Sequence, residues 1–211
     1  MQKINVCGIG PGHPDYILPE VVRLVQNSNL IVGAERHLEI FDLEGKERLE
    51  LKNNLAEVID ILKVKKASTI TVLVSGDTGF HSFLGTMLKS FSADELYVVP
   101  GISSYQYFFA KLGMSYEDAW IGSLHGMQAN FIEQVKTHPK TFLLTDGVNS
   151  WKTIAKYLVN NHLGECTLHI GNRLSYADET IISAKAIDLQ IYTNEFNLCA
   201  VIIINDKAIK R

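Results

Sequence analysis

Apolar residues fall along this chain in short unbroken runs, each closed by a turn rich in glycine, proline or serine. The run at 70–74, Ile-Thr-Val-Leu-Val, is the most telling. It is too continuous for a half-exposed antiparallel strand and too short for a buried helix, so it predicts a strand of a parallel sheet covered on both faces. Similar runs predict strands at 3–8, 30–32 and 95–99. Between them apolar residues recur at helical spacing: Val21, Val22 and Val25 within 19–27, where Pro19 suits a first turn, and Leu55, Val58, Ile59 and Leu62 within 55–66. Further helices are expected at about 80–90 and 105–112.

Beyond Gly113 strands become more frequent, at 120–124, 141–145, 166–171, 180–184 and 198–204, with helices at 130–136 and 150–160. The change predicts an α/β chain of two domains, 1–113 and 114–211, the second with a mixed sheet. Residues 199–204 are so apolar that they predict a central, buried strand. The junction at 113–117 is short, so the two halves are expected to pack closely around a cleft.

The strand ends carry the candidate chemistry, because ligands of parallel sheets sit beyond the carboxyl ends of the strands. After the first strand comes Gly8-Ile9-Gly10-Pro11-Gly12-His13. A dinucleotide fingerprint needs glycine at its first, third and sixth places; here the sixth is His13, and Pro11 lacks an amide that could hold a pyrophosphate. A Rossmann cofactor site is therefore discounted. After the second strand stands Gly33-Ala34-Glu35-Arg36-His37, where Arg36 could hold a carboxylate in a bidentate grip or simply lie exposed on a helical turn. After the third comes Ser75-Gly76-Asp77-Thr78-Gly79. Gly76 and Gly79 would let the backbone approach a ligand, while Asp77 or Thr78 could equally cap the following helix. After the fourth comes Pro100-Gly101-Ile102-Ser103-Ser104, whose hydroxyls can bind a ligand or cap a helix.

Composition narrows the partner. The chain has 211 residues, 46% hydrophobic and 20% charged, as an ordinary globular protein does. A net charge of -3 gives no footprint for nucleic acid or an anionic membrane, which leaves a small molecule as the expected partner. No apolar run approaches the roughly 20 residues of a membrane helix, and the amino terminus enters a strand directly, so a cytoplasmic protein is expected. Cys7, Cys166 and Cys199 are far apart in apolar runs, which suggests reduced core thiols. The histidines show no paired ligand spacing, and no metal site is expected.

Taken in order, Gly8-Ile9-Gly10-Pro11-Gly12, Ser75-Gly76-Asp77 and Val99-Pro100-Gly101-Ile102-Ser103-Ser104 resemble the tetrapyrrole (precorrin) methylases. Val32-Gly33-Ala34-Glu35-Arg36-His37-Leu38, Ser123-Leu124-His125-Gly126 and Leu174-Ser175-Tyr176-Ala177-Asp178-Glu179 resemble the branch of that family that methylates C5 of cobalt-precorrin-7 in anaerobic cobalamin synthesis. The resemblance spans nearly the whole chain. It implies two αβα domains with S-adenosylmethionine in the cleft between them, unlike a Rossmann methyltransferase, usually in a homodimer. It places Pro11, Gly76, Asp77, Phe80, Ser103 and Ser104 against the methyl donor, with Leu124 and Asp146 as contacts from the second domain. Gly10, Gly12, Arg36, His37 and His125 would face the acidic macrocycle.

The chain departs from the family pattern at Thr78, where proline is frequent, at Met127, where arginine is frequent, and at Asn172-Arg173, where a Glu-Asn-like pair is usual. Cobalt is implied only as part of the substrate. A fused relative also methylates C15 and decarboxylates a side arm through an added domain; a chain of 211 residues is expected to lack that domain and to make transient contact with a separate enzyme that does this work. The reaction implied is attack by a macrocycle carbon on the sulfonium methyl, needing mainly alignment. His125 is the candidate base for the proton lost afterwards, or a strand-end histidine held by backbone bonds. A sister methylase with another ring position or substrate, and a non-catalytic tetrapyrrole-binding module, are the alternatives.

Overall fold

The run at 70–74 forms the middle strand of a five-stranded sheet, β4 (Ile70–Val74), with every residue buried. A computed structural model describes residues 3–65, 69–124, 130–193, 195–196 and 198–208. The chain divides into two compact units, Met1–Ser103 and Ser104–Arg211.

In the first unit β4 is flanked by β1 (Ile4–Gly8) and β2 (Leu30–Gly33); β3 (Glu47–Glu50) and β5 (Leu96–Val99) close the two edges. All four pairings are parallel. Alternate side chains therefore face opposite sides, and both sides are covered. Val6, Val32, Val72 and Val74 pack under α3 (Leu55–Val64) and α4 (Leu84–Met87). Cys7, Ile31 and Leu73 pack under α1 (Pro19–Gln26) and α2 (Glu35–Leu38). Thr71, fully buried on the second side, is satisfied by Asn5 Nδ2 at 3.1 Å and Ser28 Oγ at 2.7 Å.

The helix expected at about 80–90 is reduced to the single turn α4. His81 sits at φ 48°, outside the helical region, and Ser82 Oγ accepts from Leu84 N at 3.2 Å, so the backbone enters the helix only at Leu84. The charged edge strand β3, which lacks an apolar run, has no counterpart in the sequence reading, and α2 is the helical turn that one reading of Arg36 expected.

The second unit contains α5 (Ser104–Lys111), β6 (Ala119–Ser123), α6 (Phe131–Thr137), β7 (Lys140–Leu144), α7 (Trp151–Asn160), β8 (Thr167–Asn172), β9 (Thr180–Lys185) and β10 (Cys199–Ile204). The strand order is β6-β7-β10-β8-β9; only β6 and β7 are parallel, so the sheet is mixed. β10 is its middle strand, as its apolar run requires. One face carries Leu143, Leu168, Ile170, Val201 and Ile203 against α6 and α7. The unit begins at Ser104, ten residues before the expected boundary, because α5 belongs with this sheet: a Cβ placed on Gly171 of β8 would lie 2.9 Å from the Phe108 ring, and the Tyr105 ring meets Phe142 at 5.9 Å.

Candidate ligand site

Because β1, β2, β4 and β5 run parallel, the four turns that follow them emerge at one edge of the first sheet. The helix after β1 covers one face of the sheet and the helix after β4 the other, which gives the reversal of winding that marks ligand sites in such sheets.

Three of these turns are locked to one another through backbone. Gly10 N donates to Gly76 O at 3.2 Å and Gly76 N to Gly10 O at 2.9 Å, a two-bond bridge that continues the β1–β4 contact past both strand ends. Gly10 and Gly76 hold φ of 78° and 66°, a region that side chains disfavour. A Cβ on Gly101 would lie 2.2 Å from Gly76 O, and one on Gly8 2.7 Å from Gly101 N. These glycines thus serve first to let the strand ends meet each other, before any ligand is considered.

Asp77 completes the junction. Its Oδ2 accepts from Gly79 N at 2.7 Å within its own turn, and its Oδ1 accepts from Gly101 N at 3.1 Å in the turn after β5. The carboxylate is therefore a strut between two turns, a role that neither the donor contact nor the helix cap considered from sequence anticipated. Thr78 is buried beside it, and its carbonyl accepts from Ser82 Oγ. Pro11, Gly76 and Phe80 are half-buried, Gly12 is buried, Ser103 is 2% exposed, and Ser104 begins α5. Phe80 meets the His81 ring edge-on at 4.7 Å.

At the β2 end the neighbours Arg36 and His37 part company. Arg36 is exposed and has no ion-pair partner among the described residues. His37 is 5% exposed, and its Nδ1 has no hydrogen-bond partner. Burial pushes its pKa down to about 4; the Arg36 charge adds to the fall and the Leu73 backbone opposes it. At neutral pH His37 is an uncharged core residue. The expectation that His37 faces the macrocycle is corrected by this burial.

In the second unit Leu124 and Asp146 stand at the ends of the parallel pair β6 and β7. Leu124 N donates to Leu144 O at 2.9 Å, carrying the ladder one residue further. Asp146 Oδ1 accepts from Val148 N at 2.9 Å and Asn149 N at 2.6 Å, a side-chain-closed turn that leads into α7. Asn149, absent from the sequence reading, connects the two residues: its Nδ2 donates to Leu124 O at 3.0 Å and to Asp146 Oδ2 at 3.2 Å. The signal was an aspartate three residues before an asparagine at a strand-to-helix turn. His125 and Met127 lie outside the described residues.

A parallel sheet whose turns join through glycine backbone, without the dinucleotide fingerprint, defines a ligand-binding α/β protein outside the Rossmann class. The chain belongs to the Tetrapyrrole (Corrin/Porphyrin) Methylases, whose family model matches residues 3–190; it is a methyltransferase. It is 33% identical over 208 residues to a probable cobalt-precorrin-7 C(5)-methyltransferase of Methanocaldococcus jannaschii, covering 95% of this chain and 96% of that one. A cobalt-precorrin-7 C(5)-methyltransferase of Salmonella typhimurium is 27% identical, covering 97% and 100%. The fold is shared with a cobalamin biosynthesis precorrin-6Y methylase of Archaeoglobus fulgidus at TM-score 0.74 and 19% identity, covering 96% and 97%. It is also shared with a uroporphyrin-III C-methyltransferase of Thermus thermophilus, complexed with S-adenosyl homocysteine, at TM-score 0.76 and 18% identity, covering 96% and 97%.

Proposed function

We propose that this protein transfers the methyl group of S-adenosylmethionine to C5 of cobalt-precorrin-7, in cobalamin synthesis. The observation that carries this reading is the similarity, over nearly the full length of both chains, to two relatives that bear that activity in their names. The cobalt belongs to the substrate.

The residues at the strand ends fit the donor. Half-buried Phe80 offers apolar surface for an adenosyl group, and the half-buried Ser104 hydroxyl can meet its polar atoms. In this reading Pro11, Gly76, Asp77, Phe80, Ser103 and Ser104 make the first unit's donor site. Asp77 acts by holding the turns after β4 and β5 in one arrangement. Leu124 and Asp146 are the second unit's donor contacts. Gly10, Gly12 and the exposed guanidinium of Arg36 serve the macrocycle, whose carboxylates suit a charge-assisted, bidentate partner. His37 supports Arg36 from beneath as a packed neutral ring.

The chemistry asks little covalent help of the protein. A nucleophilic ring carbon forms a bond to the donor's methyl carbon as the carbon–sulfur bond breaks, and the bonding pair stays on sulfur to give S-adenosylhomocysteine. Holding carbon, methyl and sulfur in line supplies the largest share of the rate, since orientation effects amount to about 7–11 kcal/mol in well-aligned systems. His125 remains our candidate for taking the proton released afterwards, on chemical type alone. We further propose that the protein works in the cytoplasm as a homodimer, and that a separate enzyme methylates C15 and removes the side-arm carboxyl. The test is incubation with methyl-labelled S-adenosylmethionine and a panel of precorrins, with and without cobalt, followed by mapping of the labelled carbon. Label at C5 of cobalt-precorrin-7 is expected; label elsewhere on the ring, or on another tetrapyrrole only, overturns the assignment.

A further inference from the structure

Asn149 stands out because nothing in the reaction requires it, yet it joins two residues assigned to donor binding. Both groups that meet its Nδ2, the Leu124 carbonyl and the Asp146 carboxylate, can only accept hydrogen bonds. The carboxamide therefore has one possible orientation, nitrogen toward the pair and oxygen away. Its backbone is fixed as well, since Asn149 N donates to Asp146 Oδ1 at 2.6 Å. The next residue, Ser150, caps α7 by accepting from Thr153 N at 3.3 Å, and Thr153 Oγ1 returns to Val148 O at 3.1 Å. The turn between β7 and α7 is thus tied at both ends to rigid elements. Asn149 is its cross-link to β6.

We infer that Asn149 is a positioning residue for methyl-donor binding: it sets the distance and orientation between the Leu124 backbone and the Asp146 carboxylate by holding both through one amide nitrogen. The inference rests on the reading above, in which Leu124 and Asp146 contact the donor. No other residue type of this size fills the role. Aspartate has nearly the same shape but no donor hydrogen, and it would set a carboxylate against a carbonyl and a second carboxylate. Leucine matches the bulk and leaves both acceptors without their partner. The consequence falls on the donor: among the described residues the groups that meet the Asn149 amide nitrogen are both assigned to donor binding, so its loss raises the donor's Michaelis constant.

The experiment measures S-adenosylhomocysteine binding by calorimetry, beside thermal melts of the unliganded protein, for wild type, Asn149→Ala and Asn149→Asp. Loss of a bridging hydrogen bond that the amide donates to a charged group corresponds to roughly a tenfold rise in Kd for alanine. Aspartate is expected to be as poor or poorer despite its shape. A wild-type Kd in both variants, with only the melting temperature lowered, overturns the inference and leaves Asn149 a fold element. Should Asn149→Ala fail to fold, the near-isosteric aspartate variant decides alone: wild-type affinity in it overturns the inference, and weakened affinity in a folded protein supports it. Failure of wild type to bind S-adenosylhomocysteine would instead overturn the donor-site reading on which the inference stands, so the two failures are told apart.

Discussion

The Asp77 carboxylate reaches across from the end of β4 to the Gly101 amide at the end of β5, at 3.1 Å, while its other oxygen holds Gly79 N at 2.7 Å. A single side chain thereby closes its own turn and pins the neighbouring one. Both partners are amide donors, so the site needs two acceptors at once. Asparagine supplies one and turns an NH2 group against the other amide. We expect Asp77→Asn to behave like Asp77→Ala: donor affinity falls roughly tenfold or more, by the loss of a charged hydrogen bond that fixes the binding turns. Calorimetric titration with S-adenosylhomocysteine, beside a thermal melt, checks it. Unchanged affinity with a lowered melting temperature would make Asp77 a structural strut only.

The glycine junction makes a sharper demand on stability. A Cβ on Gly101 would sit 2.2 Å from the Gly76 carbonyl and 2.7 Å from the Gly8 backbone, none of which is the end of a flexible side chain. Gly101→Ala must therefore separate the ends of β1, β4 and β5, and we expect it to cost about 3 kcal/mol or more, the upper range for an overfilled site. Gly85 is the internal control. It lies in α4 with nothing within 4 Å of its added Cβ, so Gly85→Ala should stabilise by up to about 1 kcal/mol. Urea unfolding of both variants measures the contrast.

These two cases mark what the amino-acid sequence discloses and what it hides. β4 and β10 were legible because runs of five and six residues, apolar except for Thr71, fit only interior strands, and both are the middle strands of their sheets. The edge that carries the four turns was legible for the same reason, since parallel strands must end together. β3 was not, because an edge strand reading Glu-Arg-Leu-Glu has no burial pattern to declare it. The helix after Asp77 was overestimated where a local hydrogen bond from Leu84 N to Ser82 Oγ and the positive φ of His81 outweighed apolar spacing. The links from Asp77 to Gly101, from Asn149 to Leu124 and between Gly76 and Gly101 join residues 24 or 25 positions apart, a separation that no local pattern encodes.

Burial of His37 gives stability an acid limb. Its folded pKa is lowered to about 4 from an ordinary 6.5, so the unfolded chain takes up the proton first as the pH falls. Stability is full above about pH 6.5, declines by up to about 1.4 kcal/mol per pH unit through this group, and levels off below about pH 4. His37→Leu removes the titrating ring together with its unpartnered Nδ1, so the decline between those limits should shrink by that amount. Urea midpoints at pH 4.5 and 7.0 for wild type and variant test it. An equal decline in both would assign the acid sensitivity to carboxylates.

Arg36 is exposed on α2, next to the buried His37, and without an ion-pair partner among the described residues. Salt pairing with the described residues therefore offers it no alternative to a ligand. A guanidinium can grip a carboxylate through two parallel hydrogen bonds, whereas lysine brings one point charge on a flexible stem. Arg36→Lys should accordingly raise the precorrin Michaelis constant and leave S-adenosylhomocysteine affinity at the wild-type value. Arg36→Ala removes the charge as well; a hydrogen bond to a charged group is worth about 1.5–3 kcal/mol, so kcat/KM should fall roughly tenfold to a hundredfold. Stability should hardly change in either variant, because an exposed side chain contributes little to folding. Steady-state kinetics in precorrin at saturating donor separate the effects. If both variants turn over precorrin as wild type does, Arg36 has no part in substrate binding, and the macrocycle's carboxylates must be held elsewhere.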